Sequence, residues 1–517
     1  MKKITYIFAA VLATLAINSC VGDLNVTPID PNANTADKAL VDEGSFEQFL
    51  SGVYLGFATS GYYGKDGSAS ISGLDGGASQ YIRGLYHHSE LTTDESVCGW
   101  NDQTIKDFHW MTWTTGDTFI YAFYSRIFMQ VGMANEFIRE AKASNVAFPS
   151  KEKMIDEARV LRAIAYYHAI DNFGNVPFAL EDAVVGAVPE QIKRADLYDW
   201  LVEELTDLVN NSALPEKNAT VYGHANKATA KFLLAKLYLN AEVFTGTKAY
   251  DKCASVLKDI MDDGYSLHTT SSGDYNAYQE LFLADNDKCT DEIIFPIEQN
   301  GAITNSYGAT NYIIFASTIN DTMDPASLGI TSGWGGLRMT PEFYSLFSNS
   351  DKRYQFQTDG HTADIEDIGT ATNGYAFMKF RNMNSDGTPG SEPGSVDTDF
   401  PMMRYADVLL MAAECEARGV TGIDGLAAFN QVRARAGMPA ANGLSLDEIL
   451  DERARELYQE CWRRNDLIRF GKFTSGYNWQ WKGNDPKGKD VEPYRALFPI
   501  PDSDRLANSN LEQNPGY

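Results

Sequence analysis

The chain has 517 residues, 44% hydrophobic and 12% aromatic, with 70 acidic against 43 basic side chains and a formal charge of −27. A surface this acidic repels phosphate backbones and anionic headgroups, which argues against nucleic acid or direct headgroup binding and makes a neutral ligand the easier partner. The 6 cysteines form no CxxC pair, so neither a disulfide framework nor a zinc cluster is expected.

The N-terminal segment has the layout of a secretory signal: Lys2 and Lys3, an apolar run from Ile4 to Ile17, then Asn18, Ser19 and Cys20. The run is shorter than the ~20 apolar residues of a membrane span. Ile17-Asn18-Ser19-Cys20 resembles a bacterial lipobox. Cleavage before Cys20 and acylation of its thiol and new amino group would anchor the mature chain durably, at roughly 0.8 kcal/mol per buried methylene. The expected division is a signal peptide over 1–19, a lipidated tether over 20–44 that Pro28 and Pro31 keep extended, and one domain over 45–517.

Over 117–143, 151–172, 197–211 and 225–244, apolar and small residues recur at spacings of three and four, the period of amphipathic helices. Ala158, Leu161, Ala165 and Ala169 share one face of the second, and Ala228, Ala230, Leu234 and Leu237 give the fourth a small-residue surface. Alanine-lined pairs of long helices predict a mainly α fold of tetratricopeptide-like helix pairs, an α/α superhelix, in an N-terminal part over 45–264. Over 265–403 the pattern turns to glycine, serine, threonine, asparagine and aspartate with short apolar runs such as 292–297, which reads as a loop-rich, ligand-binding part with few strands. A long irregular stretch rich in aromatics points to function. Asp285-Asn286-Asp287 lacks the glycine turn and distal glutamate of an EF-hand and reads as a turn, so no metal or cofactor is assigned. Helical periodicity returns over 404–418, 425–436 and 445–464, within a C-terminal part over 404–517 that ends as loop. The alternating charges from Asp451 to Asp466 read as ion pairs in preference to an acid/base cluster. Cys253, Cys415 and Cys461 read as buried thiols on helices.

Several motifs then stand in a fixed order. They are Glu157-Ala158-Arg159-Val160-Leu161-Arg162-Ala163 running on to Phe173-Gly174-Asn175-Val176-Pro177, then Arg404-Tyr405-Ala406-Asp407-Val408, then Asn430-Gln431-Val432-Arg433-Ala434-Arg435-Ala436-Gly437. Glu452-Arg453-Ala454-Arg455-Glu456-Leu457, Arg463-Arg464-Asn465-Asp466-Leu467, Phe498-Pro499-Ile500-Pro501 and Asn514-Pro515-Gly516-Tyr517 follow. The ordered set resembles the SusD/RagB family of outer-membrane nutrient-binding lipoproteins, and its starch-binding branch most. The resemblance implies four tetratricopeptide-like helix pairs, no catalytic residues, and a lipid-anchored, surface-exposed place on the outer membrane. It also implies a partner, a SusC-like TonB-dependent transporter on which the protein sits as a lid.

A site for neutral oligosaccharide needs flat aromatic faces and planar polar groups at their rim. In the starch-binding branch the ligand lies on an aromatic arc assembled from two separated stretches, and both have counterparts here. One runs from Asp75 through Arg83 and the acidic turn ending at Glu95 to Trp100; the other holds Asn305-Ser306-Tyr307-Gly308 and Ser332-Gly333-Trp334. The resemblance implies Trp100, Tyr307 and Trp334 as stacking platforms, with Asp75 and Arg83 hydrogen-bonding hydroxyls. Gln103 would add an amide where the family pattern has asparagine. The implied ligand is a curved α-glucan, starch or malto-oligosaccharide; another glycan or a peptide on the same scaffold is the alternative. Loop aromatics on a rigid scaffold are expected to add little to the core.

Overall fold

The computed structural model describes residues 35–61, 69–184 and 186–517. The signal segment, Cys20 and the tether up to residue 34 lie outside the described residues. Ala36–Ala39 forms a single helical turn within the segment expected to be extended.

The first long helix, Glu43–Ala58 (α1), starts where Asp42 accepts the Ser45 N–H at 2.9 Å. Tyr81–Ser89 (α2) and Gln103–Trp110 (α3) follow, and then the long elements that the periodicity predicts: Thr118–Ala143 (α4), Lys151–Asn172 (α5), Arg194–Asn211 (α6) and Lys227–Leu239 (α7). Tyr250–Asp262 (α8) packs on α7, α4 packs on α5 and α6 on α7. The predicted alanine faces are the contacts: Ala158, Leu161, Ala165 and Ala169 are fully buried, as are Ala230 and Leu237. Small side chains let the helices approach closely, and the fold is the expected mainly α architecture of helix pairs.

Two boundaries differ from the sequence reading. The 225–244 helix breaks at Asn240, whose amide donates to Lys236 O at 2.9 Å and accepts from Arg469 at 3.2 Å. The 445–464 helix is two, Leu446–Leu457 and Arg463–Arg469, separated by a bend with Gln459 and Cys461 at φ 60° and 68°. The acidic turn draws this bend out of the helix: the Gln459 N–H donates to Glu95 at 2.7 Å, and Arg463 grips Asp94 through two bonds of 2.7 and 2.6 Å. Cys461 therefore lies in the bend and not on a helix, although all five cysteines of the described residues are free and buried.

The 265–403 span holds helices that a reading as loop and short strands does not predict: the single turns Ala277–Glu280 and Pro341–Tyr344, and the longer Ala309–Ser317 (α9), buried along its whole length. Its sequence is apolar or small all round and rich in β-branched residues, so it shows no 3.6-residue stripe. The strand expected near 293 forms as Ile293–Ile297, paired antiparallel with Phe400–Arg404. Val97–Cys98 (β1) pairs antiparallel with Leu337–Arg338 (β2). Tyr405–Ala417 (α10) and Gly425–Arg435 (α11) close the helical scaffold. Among the described residues no helix is long and apolar enough to cross a membrane.

The charges from Glu452 to Asp466 form ion pairs, most of them buried, as read from the sequence. Arg404 reaches Glu292 at 2.6 Å, Glu456 at 2.8 Å and Glu460 at 2.6 Å, while Arg353 reaches Asp351, Glu452 and Glu456 at 2.7, 2.8 and 3.1 Å. A second cluster joins Arg453 to Asp407 and Asp466, and Arg469 to Asp466 and Glu414. These pairs tie α10, the Leu446–Leu457 helix and the loops of the 265–403 span into one unit.

Candidate functional site

The antiparallel register of β1 and β2 places Cys98 opposite Leu337, so the chain leaving β1 and the chain entering β2 run side by side. Trp100 lies on the first and Trp334 on the second, with ring centroids 6.5 Å apart at an interplanar angle of 47°. The Trp100 indole N–H donates to Gly335 O, and Gly99 N–H to Gly336 O at 2.9 Å. Gly336 has φ 154°, and a Cβ there would stand 2.7 Å from Trp100 Nε1, so only glycine fits against the indole. Asn320 clamps Gly333 from both sides, accepting its N–H at 2.7 Å and donating to its carbonyl at 3.0 Å.

Tyr307 completes the row, its ring 5.8 Å from Trp334 at 64°. All three aromatics are partly exposed. Arg83, in the first turn of α2, sits behind them with its guanidinium 5.5 Å from the Trp100 ring and Nη1 donating to Tyr307 O at 3.3 Å. Burial pulls this guanidinium below its ordinary pKa range, and Asp75 and Asp102 are among the charges that oppose the shift. Its Nε–H is buried with no hydrogen-bond acceptor among the described residues. Asp75 is exposed and accepts the Ala78 N–H at 2.8 Å. Five of the six predicted residues thus come together from two stretches of chain. Gln103 stands three residues beyond Trp100 at the start of α3, exposed, with its amide donating to Asp107 on the same helix at 3.0 Å.

Two residues of the cluster were not anticipated. Tyr312 and Phe315, one helical turn apart on α9, back the row from inside: Tyr312 lies 5.9 Å from Trp100 and 4.7 Å from the Arg83 guanidinium, and Phe315 lies 5.0 Å from Trp334. Their three-residue spacing behind Tyr307 was the available signal, hidden because α9 reads as loop. They also correct the expectation that these aromatics stand free of the core, since Trp100 and Trp334 pack directly against it.

Two cavities lie elsewhere. One of about 630 Å³ is lined by Ser266, Tyr278, Lys352 and Gln431, and an apolar one of about 380 Å³ by Tyr124, Phe128 and Tyr166; neither contains a predicted site residue. Among the described residues no group of three or more histidine, cysteine or carboxylate side chains could hold a metal ion.

Helix pairs that carry a row of partly exposed aromatic rings on loops make a mainly α, helix-pair protein with a candidate site at its surface. The SusD family model matches residues 350–517. The starch-binding protein SusD of Bacteroides thetaiotaomicron is 30% identical over 575 aligned positions, covering 100% of this chain and 99% of that protein. SusD-like protein P2 of Formosa agariphila is 24% identical over the full length of both. The chain belongs to the SusD family. Solved structures share its fold: a SusD superfamily protein from Parabacteroides distasonis superposes with a TM-score of 0.71 at 22% identity, over 92% of this chain and 99% of that one. Surface glycan-binding protein A from Bacteroides thetaiotaomicron in complex with laminarihexaose gives 0.69 at 20%, over 92% and 100%.

Proposed function

We propose that this protein captures a neutral oligosaccharide, α-glucan by preference, on the row Trp100, Trp334 and Tyr307, with Asp75 at its rim and Arg83 supporting the row from behind. The observation that carries the reading is the convergence of three partly exposed rings, 5.8 and 6.5 Å apart and tilted to one another, from stretches some two hundred residues apart. Tilted faces match successive rings of a curved chain better than those of a flat one. The 30% identical relative bears the description starch-binding, which favours α-glucan; the laminarihexaose complex of a structural relative makes β-glucan the second candidate. Capture without cleavage is further supported by Glu452, Glu456, Glu460 and Asp466, all committed to buried ion pairs. Calorimetric titration with maltoheptaose, a cyclic malto-oligosaccharide, laminarihexaose and cellohexaose tests the reading. Binding of the malto-oligosaccharides at least about tenfold tighter than of the linear cello-oligosaccharide is expected, a difference of about 1.4 kcal/mol, with no reducing sugar released. Equal affinities would remove the shape argument.

The same reading places the chain at the outer membrane through acyl groups on Cys20, delivering sugar to a TonB-dependent barrel. The lipobox-like Ile17-Asn18-Ser19-Cys20 and the family support it. Labelled palmitate should enter the wild-type chain and not Cys20→Ala, and mild detergent should co-extract a barrel protein with the wild-type chain. Equal label in both chains would refute the anchor.

A further inference from the structure

The two tryptophans are joined by strand pairing, but Tyr307 and Arg83 belong to elements that no strand connects. Beside the direct hydrogen bond from Arg83 Nη1 to Tyr307 O, one buried side chain ties their two helices together. Gln80, 1% exposed, stands immediately before α2 and accepts the Arg83 N–H at 2.8 Å, capping that helix. The same oxygen accepts the Ala309 N–H at 2.8 Å, so it also caps α9, which Gly308 cannot do for want of a side chain. The Gln80 amide nitrogen donates to Phe57 O at 2.7 Å, in the last turn of α1. All of its polar atoms are therefore used, on three helices.

Two features show that the loop of Tyr307 is pressed onto this amide. A Cβ on Gly308 would lie 2.3 Å from the Gln80 side chain, closer than real Cβ contacts come. Ala309 adopts φ 48°, a left-handed conformation unfavourable for a non-glycine residue, and the hydrogen bond from its N–H holds it in place.

We infer that Gln80 is a positioning residue: with the Arg83–Tyr307 hydrogen bond it sets where the platform Tyr307 stands relative to Arg83 and the tryptophans it backs, and so the length of sugar the row can grip. This rests on the binding reading above. Gln80 makes no contact with ligand in this scheme, so its replacement acts only through the residues it holds. In Gln80→Met, the Ala309 N–H loses its acceptor, and the Tyr307 loop is held to α2 less firmly, by the Arg83 hydrogen bond without the Gln80 cap.

The test is a set of cycles read by titration with maltoheptaose or laminarihexaose, whichever the wild-type chain binds. Gln80→Met should weaken binding about tenfold, as Tyr307→Ala should, and the double variant should lose no more than either alone. In a Trp334→Ala background the Gln80→Met loss should remain. A protein merely made less stable would lose the same factor in every background. Gly308→Ala perturbs the same contact from the loop side, with no strain from its φ of −123°, and should reproduce the loss even if Gln80→Met folds poorly. Losses that multiply in the Gln80→Met, Tyr307→Ala pair, or wild-type affinity in both Gln80→Met and Gly308→Ala, overturn the inference while leaving the site intact. A Tyr307→Ala variant that binds as the wild type does overturns the stacking role of Tyr307 and this inference with it.

Discussion

The double variant Trp100→Ala, Trp334→Ala is expected to lower glycan affinity by at least about tenfold. On the proposed site each indole would bury sugar C–H surface at roughly 25 cal/mol per Å², which makes one platform worth about 1 to 3 kcal/mol, or about fivefold to somewhat over a hundredfold. The rings touch each other, so the two losses are not independent and will not simply add. The variants should also differ in stability. Trp100 donates to Gly335 O, lies against Tyr312 and covers Arg83, so Trp100→Ala frees a loop and leaves part of the core uncovered. Trp100→Phe keeps an aromatic face without the N–H and should recover most of the affinity while leaving the 333–336 loop less well held. Titration beside thermal melts separates the two effects. Unaltered affinity in the double variant would place the site elsewhere on the molecule.

The second large effect concerns folding. Glu456→Ala is expected to destabilise the protein by about 3 to 5 kcal/mol, because it removes one carboxylate from three buried guanidiniums, Arg353, Arg404 and Arg435. That is a large fraction of the ~5–15 kcal/mol that holds a domain together. Burial alone would raise the Glu456 pKa, but Arg435, Arg404 and Arg353 outweigh it and hold the carboxyl at about 2. The unfolded chain takes up this proton at about 4.5, so between about 4.5 and 2 the unfolded state binds more protons than the native state. The stabilisation is therefore complete above that window and lost as pH falls through it. Urea midpoints at pH 7 and across this range check both points, and the acid limb should be shallower in the variant. The exposed pair Lys193–Glu512 is the control: Lys193→Ala should leave the midpoint unmoved, because solvent screens that contact. A Glu456→Ala midpoint no lower than the control's would show that the buried network does not hold the fold.

The acidic turn illustrates how far a pattern in the chain can be read. Its carboxylates stand in the stretch that the resemblance associates with sugar. The structure gives Asp94 to Arg463 and Glu95 to the Gln459 backbone, partners more than three hundred residues away. Charge alone does not say whether a carboxylate faces a ligand or closes a distant helix.

By itself the sequence determined the helical scaffold, because a 3.6-residue apolar period and alanine faces are local properties of α4, α5, α6 and α7 that burial can use in only one way. It also determined the family, through ordered motifs, and the ion-pair character of 451–466, through alternating charge. Tertiary structure alone decided where helices break, since Asn240 and the Gln459–Cys461 bend answer to partners far along the chain. It alone revealed α9, whose every face is buried and which therefore carries no stripe. It alone brought Trp100 to Trp334 through the β1–β2 register and Tyr307 to Arg83 through Gln80, because the distance between loops is set by hydrogen bonds between elements that no local pattern records.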